Sequence, residues 1–260
     1  MSVKPKKHLG QHFLNDESIC QRIAAEINLN ANCPKVLEIG PGMGALTKYL
    51  LPRKDFETSV IELDIESVEY LEKNYPELKT RIFSADFLHI NPTELMGTGQ
   101  FAVVGNFPYN ISSQILFKVL EFKDHVPEVV GMFQKEVAER VAQGPGKKAY
   151  GIISVFLQAY YDIEYLFTVD EHVFTPPPKV KSGVIRLIRN TTKSLDCDEK
   201  LFVQIVKMAF NQRRKTLRNS LKPFSSEKNQ VFETNLDFFS RRPETLSVAE
   251  FVWLAQQFSV

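Results

Sequence analysis

The sequence predicts an α/β fold: a mostly parallel sheet with helices on both faces, an antiparallel pair at its edge, and a small C-terminal all-helical domain. Three observations carry this expectation. Short apolar runs alternate with helical patterns through the first two-thirds of the chain, the alternation stops near Tyr161, and no strand pattern returns after Asn190. Alternating strands and helices bury their apolar faces together when the strands run parallel and the helices cover the sheet.

Taken in order, Asp16 precedes a helical pattern from Glu17 to Ile27, and Val36–Ile39 reads as the first buried strand. A helix from Ala45 to Leu51 follows, then a strand at Ser59–Glu62, a helix from Glu66 to Tyr75 and a strand at Arg81–Ser84. Phe101–Val104 and Val129–Phe133 continue the strands, with a helix from Ser112 to Glu121 between them. Ile163–Val169 and Val184–Ile188 have no helix between them, which marks an antiparallel edge pair. Further on, Leu201, Ile205 and Ala209 with Phe202, Val206 and Phe210 make one helical stripe, and Ser247-Val248-Ala249-Glu250 is a capping box opening a last helix. The domain boundary falls near residue 192, giving domains 1–192 and 193–260.

The chain has 260 residues, 43% of them hydrophobic, which suffices for a substantial core and excludes disorder. No apolar run reaches the roughly 20 residues that cross a bilayer. The basic N-terminus has no apolar stretch behind it, unlike a secretory leader. Cys20, Cys33 and Cys197 form no CxxC and leave one cysteine odd, against a disulfide framework. A cytoplasmic protein with no membrane partner is expected, and nothing demands more than a monomer. No metal is expected: His8 and His12 stand four apart, but Gly10 lies between them and no third ligand is near. The net charge of +1 conceals an asymmetry, with ten acidic against three basic residues from Asp55 to Phe101 and three against twelve from Pro177 to Lys222. One face suited to a polyanion follows from that split.

Glu38-Ile39-Gly40-Pro41-Gly42-Met43-Gly44 follows the first buried strand and opens a helix. Glycines there admit a ligand close to the backbone, and unpaired N–H groups at the helix start favour an anion. Glu62 ends the second strand, where a carboxylate accepts two ribose hydroxyls, and Asp86 ends the third, suited to an adenine amino group, with Phe87 beside it. Gly40-x-Gly42-x-x-Ala45 also fits the dinucleotide fingerprint, so a nicotinamide oxidoreductase and a turn that binds nothing both stand as alternatives at this point.

The fourth strand ends in Asn106-Phe107-Pro108-Tyr109. An exocyclic adenine amine is a poor nucleophile because its lone pair is delocalised into the ring. Two acceptors on its N–H groups favour a pyramidal, electron-rich nitrogen: the Asn106 side-chain carbonyl and the Phe107 main-chain carbonyl supply them. Pro108 restricts the backbone of Phe107, and Tyr109 offers a stacking face worth about 1–3 kcal/mol. No general base is required, because the alkylated amine is strongly acidic. A methyl carried on a sulfonium suits this arrangement better than a hydride does.

At these residues the chain resembles the small-subunit (16S) ribosomal RNA dimethyladenosine transferases, a family of S-adenosyl-L-methionine-dependent methyltransferases. The likeness runs through Gly10–Asp16, Glu38–Gly42, Val60–Asp64, Gly105–Asn110, Gln134–Val137, Phe174–Ser182, Phe210–Ser220 and Arg242–Glu244, nearly the whole chain in order. It implies a Rossmann-like class I methyltransferase sheet and transfer of two methyl groups to N6 of each of two adjacent adenosines, in a hairpin loop near the 3′ end of small-subunit ribosomal RNA. It also implies a part in small-subunit assembly, with immature subunits as partner. By carry-over, Gln11, His12, Leu14, Gly40, Gly42, Glu62, Asp86, Phe87 and Asn106 hold the cofactor, Asn106 to Tyr109 hold the base, and Phe174 closes the base's other face. Bacterial members commonly have Leu where this chain has Phe107, whose larger side chain is expected to narrow the pocket. Where the family often shows Asn, this chain has His12, which also hydrogen-bonds.

Arg213, Arg214, Lys215 and Arg218 are the expected RNA contacts, with Lys207, Arg214, Arg218 and Lys222 recurring at helical spacing as one basic stripe. A single-stranded loop is the natural target, since the base must leave its stack to reach the tetrad. Two related readings match less well. A large-subunit ribosomal RNA adenine methyltransferase shares the glycine loop and tetrad, but the Phe174–Lys181 and Asn211–Ser220 runs favour the small-subunit group. A DNA adenine methyltransferase more usually has Pro at position 107 and a target-recognition domain. From a different class, the protein acts mainly as an assembly factor that binds subunits whether or not it methylates.

Overall fold

A computed structural model describes residues 3–29, 33–224 and 235–259. The chain forms two compact units, Met1–Glu139 with Asp162–Arg189, and Arg140–Tyr161 with Asn190–Val260. The second unit thus starts close to the expected boundary at 192 but also takes in residues 140–161, which the sequence assigned to the first domain. The reason lies in helix α7 (Ile152–Gln158), where Ile153, Ser154, Val155, Phe156 and Leu157 are all buried. A helix apolar on every side needs cover all round, and the Phe156 ring packs 6.0 Å from that of Phe202 in the same unit.

In the first unit the strands are β1 (Phe13–Leu14), β2 (Lys35–Ile39), β3 (Glu57–Glu62), β4 (Ile82–Ser84), β5 (Ala102–Asn106), β6 (Glu128–Gln134), β7 (Tyr161–Val169), β8 (Phe174–Thr175) and β9 (Ser182–Arg189). The main sheet has the order β4-β3-β2-β5-β6-β9-β7. β2 is parallel to β3 and β5, β3 to β4, and β5 to β6. Only β9 runs against β6, from Glu128 opposite Ile188 to Gln134 opposite Ser182, with β7 outside it. Val36, Leu37, Val60, Val104 and Val129 are fully buried, as unbroken apolar runs are in a sheet covered on both faces. Helices α1 (Glu17–Ala25), α2 (Thr47–Leu50), α3 (Ile65–Asn74), α4 (Pro92–Met96) and α5 (Ser112–Glu121) connect the strands, and α6 (Lys135–Ala142) follows β6. Asp16 caps α1 by accepting from the N–H groups of Ser18 and Ile19.

This order places the reversal of chain winding between β2 and β5, and ligands of open α/β sheets bind at the carboxyl ends of strands there. β2 delivers the glycine turn to that point and β5 delivers Asn106. A second, two-stranded sheet pairs Phe13 with Thr175 and Leu14 with Phe174. Two-residue strands carry no periodicity, so the sequence had no way to announce it.

The second unit contains α7, α8 (Glu199–Asn211), α9 (Leu217–Ser220), α10 (Leu236–Phe239) and α11 (Val248–Phe258). Asp198 caps α8, which buries Phe202, Ile205, Val206 and Ala209. The capping box of α11 is formed in both directions: Ser247 N donates to Glu250 Oε2 at 2.7 Å and Glu250 N to Ser247 Oγ at 3.3 Å. Among the described residues, no helix is long and apolar enough to cross a membrane. Replacing Ser247 by Ala is expected to cost about 1 kcal/mol, and Ser247→Gly only a few tenths. Urea unfolding followed through the single tryptophan, Trp253 on α11 itself, measures both.

Candidate active site

The carboxyl ends of β2, β3 and β5 open on a cavity of ≈ 320 Å³. Gln11, His12, Leu14, Gly40, Gly42, Glu62, Asp86, Phe87 and Asn106, all expected at a cofactor, line it, and so do Phe107, Pro108 and Tyr109. Cofactor cradle and base-holding turn therefore share one space.

The glycine turn is shaped by close approach. Gly40 and Gly42 have φ of +67° and +55°, and a Cβ on Gly42 would stand 2.9 Å from the Phe13 ring. L-residues are strained in that conformation. Gly42 N donates to Glu62 Oε2 at 3.0 Å, while Leu63 N and Asp64 N donate to Oε1, both at 2.9 Å. Burial raises the Glu62 carboxyl above its ordinary range, and these three N–H groups oppose the rise. Oε1 is filled by its two donors, and Oε2 keeps a lone pair for a further one. Asp86 accepts from Leu88 N at 2.9 Å and pairs with His89 Nδ1 at 2.8 Å.

Glu38 was read only as part of the glycine motif, yet it too lines the cavity. It accepts from Thr47 Oγ1 at 2.6 Å, and burial pushes its carboxyl up to about 8, with the Glu62 charge adding a little. That rise favours the protonated form of Glu38 at neutral pH. The signal that would have found it is its place at the end of β2, where every side chain faces the crevice or the core. Lys6 and Asp64 were missed as well. Lys6 Nζ pairs with Asp64, Gln11 Nε2 donates to Asp64 Oδ2 at 3.4 Å, and Lys6 N donates to Gln11 Oε1 at 2.7 Å. Burial raises the Asp64 carboxyl, but the hydrogen bonds from Lys6, Ser67 and Gln11 outweigh it and hold the group below its usual range.

The turn after β5 is braced from three sides. Asn106 Nδ2 donates to His12 O at 2.9 Å, which uses the amide's donor on the scaffold and leaves Oδ1 as acceptor. Phe107 N donates to Met132 O at 3.2 Å. Tyr109 OH hydrogen-bonds Ser182 Oγ, and the His12 ring stacks on Tyr109 with centroids 5.3 Å apart. His12 Nδ1 in turn donates to Pro176 O at 2.7 Å.

Three expectations need correction. The Phe107 ring does not narrow the cavity: it is 1% exposed, lies over Gly105 and Gly131, and meets Phe133 edge-on at 5.0 Å. Glycines on adjacent strands make room for it behind the turn. Phe174 is not among the residues that line the cavity; paired with Leu14, it belongs to the core cluster and is 3% exposed. The basic residues do not form one helical stripe, because α8 ends at Asn211 and α9 begins only at Leu217. Arg214, Lys215 and Arg218 are exposed, whereas Arg213 is half-buried. The Cys20 and Cys33 thiols are raised by burial to about 12 and about 11, which makes them inert. No group of three or more metal-ligating side chains occurs among the described residues.

A model of the ribosomal RNA adenine dimethylase family matches residues 2–252. The chain belongs to that family. Two curated relatives, both named ribosomal RNA small subunit methyltransferase A, come from Cytophaga hutchinsonii and Flavobacterium johnsoniae. The first is 57% identical over 257 residues, 99% of this chain and 98% of the relative; the second is 59% identical over 255, with 98% and 96% covered. Among solved structures, a dimethyladenosine transferase from Plasmodium falciparum superposes with a TM-score of 0.79 at 24% identity, over 95% of this chain and 97% of that one. The 23S rRNA methyltransferase ErmE does so with a TM-score of 0.73 at 25% identity, over 95% and 99%. The dimethylase fold is therefore a class I methyltransferase sheet with a helical unit.

Two outcomes are expected. A methyl added at Gly131 would stand 2.2 Å from Phe107 Cε2 and 2.9 Å from Phe133, so Gly131→Ala costs about 1–3 kcal/mol in urea unfolding. Much of that returns in the Phe107→Leu background if the ring occupies this space. Glu38 carries the second. A carboxyl whose folded-state pKa is raised stabilises most below its unfolded value near 4.5, and the contribution is lost as pH rises to about 8. Between those limits Glu38→Gln should show a shallower fall in stability than wild type, by up to about 1.4 kcal/mol per pH unit.

Proposed function

We propose that the protein transfers methyl groups from S-adenosyl-L-methionine to N6 of two adjacent adenosines in the 3′-terminal hairpin loop of small-subunit ribosomal RNA, giving dimethyladenosines. It acts as a monomer in the cytoplasm on the immature small ribosomal subunit. The observation that carries this reading is the single cavity lined both by the glycine turn with Glu62 and Asp86 and by the Asn106–Tyr109 turn. Identity of 57–59% to relatives named for the small subunit, against 25% to a 23S rRNA methyltransferase, favours the small-subunit substrate.

The residues present suit that cofactor. Glu62 at the end of β3 would face the ribose and Asp86 and Phe87 would take the adenine, while the Gly40–Gly42 turn leaves room for a ligand against the backbone. When bound, the cofactor supplies a methyl group on a positively charged sulfur. Protein groups do the rest. Asn106 Oδ1 and Phe107 O accept the two N–H groups of the target amine and turn its lone pair outward. Tyr109 stacks on the base, and Ser182 and His12 keep its ring from turning. A protonated Glu38 spares the pocket a second buried negative charge beside Glu62. Positioning and matched dipoles in a water-poor pocket supply the rate.

Asn106→Ala is expected to lower methylation of unmethylated small subunits about 100–1,000-fold, the usual loss on deleting one preorganised hydrogen-bonding group. The assay uses labelled cofactor and maps the modified bases. Label on bases other than a pair of adjacent adenosines near the 3′ end, or undiminished transfer by the variant, would overturn the reading. Loss of transfer with subunit binding intact would show that an assembly role is separate from catalysis.

A further inference from the structure

The helical unit holds cations that its own structure does not use. Lys147, Lys148, Arg214, Lys215 and Arg218 are all exposed, and none forms an ion pair with another described residue. Arg213, in the middle of the cluster, differs. Its Nη2 donates to Lys148 O at 2.6 Å, and its Nε lies 3.9 Å from Glu244 Oε2, a buried oxygen with no hydrogen-bond partner among the described residues. The guanidinium is therefore committed to the loop at 144–148 and to the carboxylate beside it, although the side chain is still 38% exposed.

The loop is held at one further point, where Gly146 N donates to Glu244 O at 2.7 Å. It closes on itself through Tyr150 N donating to Lys147 O at 3.1 Å, and Gly146 turns the chain with φ of +82°. Two adjacent lysines thus stand on a fixed backbone, joined by Arg213 to the turn that carries Arg214 and Lys215. Glu244, the acid bound into this junction, already faces Arg213. Like charges held together without an intervening acid repel one another, and a polyanion relieves that repulsion. A fixed loop also has little ordering entropy left to lose when a ligand binds.

We infer that loop 144–148 and segment 213–218 form one surface for RNA backbone phosphates, in which Lys147 and Lys148 make contacts and Arg213 is a positioning residue holding the loop. This rests on the RNA substrate proposed above and revises the expectation that Arg213 itself touches RNA. Such contacts set affinity and salt dependence and read no bases.

The test titrates the full chain with a transcript of the 3′-terminal small-subunit ribosomal RNA hairpin at 50–200 mM KCl. Each lost phosphate contact lowers the slope of log K against log salt by about 0.7–0.9. Lys147→Ala/Lys148→Ala should lower it by about 1.5, so that a fourfold rise in salt weakens this variant about eightfold less than wild type. Arg213→Ala alone should weaken binding, but added to the double lysine variant it should leave the slope unchanged. A further fall of about 0.7–0.9 there would mean that Arg213 contacts a phosphate directly and overturn its role. If Arg213→Ala fails to fold, Arg213→Ala/Glu244→Gln, which removes the stranded carboxylate, makes the same comparison. Wild type binding without salt dependence would sink the RNA reading itself; steep wild-type dependence with an unchanged lysine variant would sink only this inference.

Discussion

The hydrogen bond from Asn106 Nδ2 to His12 O is the interaction on which the candidate site depends. An amide side chain has one donor end and one acceptor end, and the chemistry asked of Asn106 needs the acceptor. Committing the donor to a main-chain carbonyl 94 positions earlier decides which end faces the cavity. The same bond pins the N-terminal segment over the glycine turn, where Phe13 packs against Gly42 and His12 against Tyr109. Removing it would loosen both halves of the cavity together.

Around that bond the electrostatics are arranged by burial. Two carboxyl groups, Glu38 and Glu62, sit in a water-poor crevice, and burial raises both. They separate because their partners differ: Glu62 receives three main-chain N–H groups, whereas Glu38 receives one hydroxyl. Hydrogen bonds from N–H groups favour the charged form, so Glu62 is the one suited to accept from a ligand. Asp64, just outside, is held ionised by Lys6 and ties the first residues of the chain to the end of β3. The acidic stretch counted in the sequence thus splits into groups with separate tasks.

The strand ends were legible because parallel strands covered on both faces read as apolar runs, and a polar residue closing such a run stands out. Glu62 and Asn106 were found that way; Asp86 was expected to close a strand too, but β4 ends two residues earlier at Ser84. The positions that escaped were set by long-range pairing. Ser182 is 73 residues from Tyr109, Lys6 is 58 from Asp64, and neither lies in a local pattern. Phe107 was misjudged because the space it fills is made by glycines, and Gly131 belongs to a different strand. Phe174 was carried over as a wall of the base pocket, but its strand pairing with Leu14 turns it into the core. The helical stripe failed at Asn211 because charged spacing of three and four continues through a turn as readily as through a helix.

Local physics written in the chain determined the alternation of strands and helices, the caps at Asp16, Asp198 and Ser247, the glycine turn, and the polar residues that end β3 and β5. These follow from propensity, periodicity and capping, which act over a few residues. Tertiary structure alone decided which neighbour each side chain meets: the order of the strands, the burial that raises the Glu38 carboxyl, the rings and hydroxyls that brace Tyr109, and the tie from Arg213 to the loop at 144–148. Those depend on desolvation and on contacts between segments far apart in sequence, which no local pattern encodes.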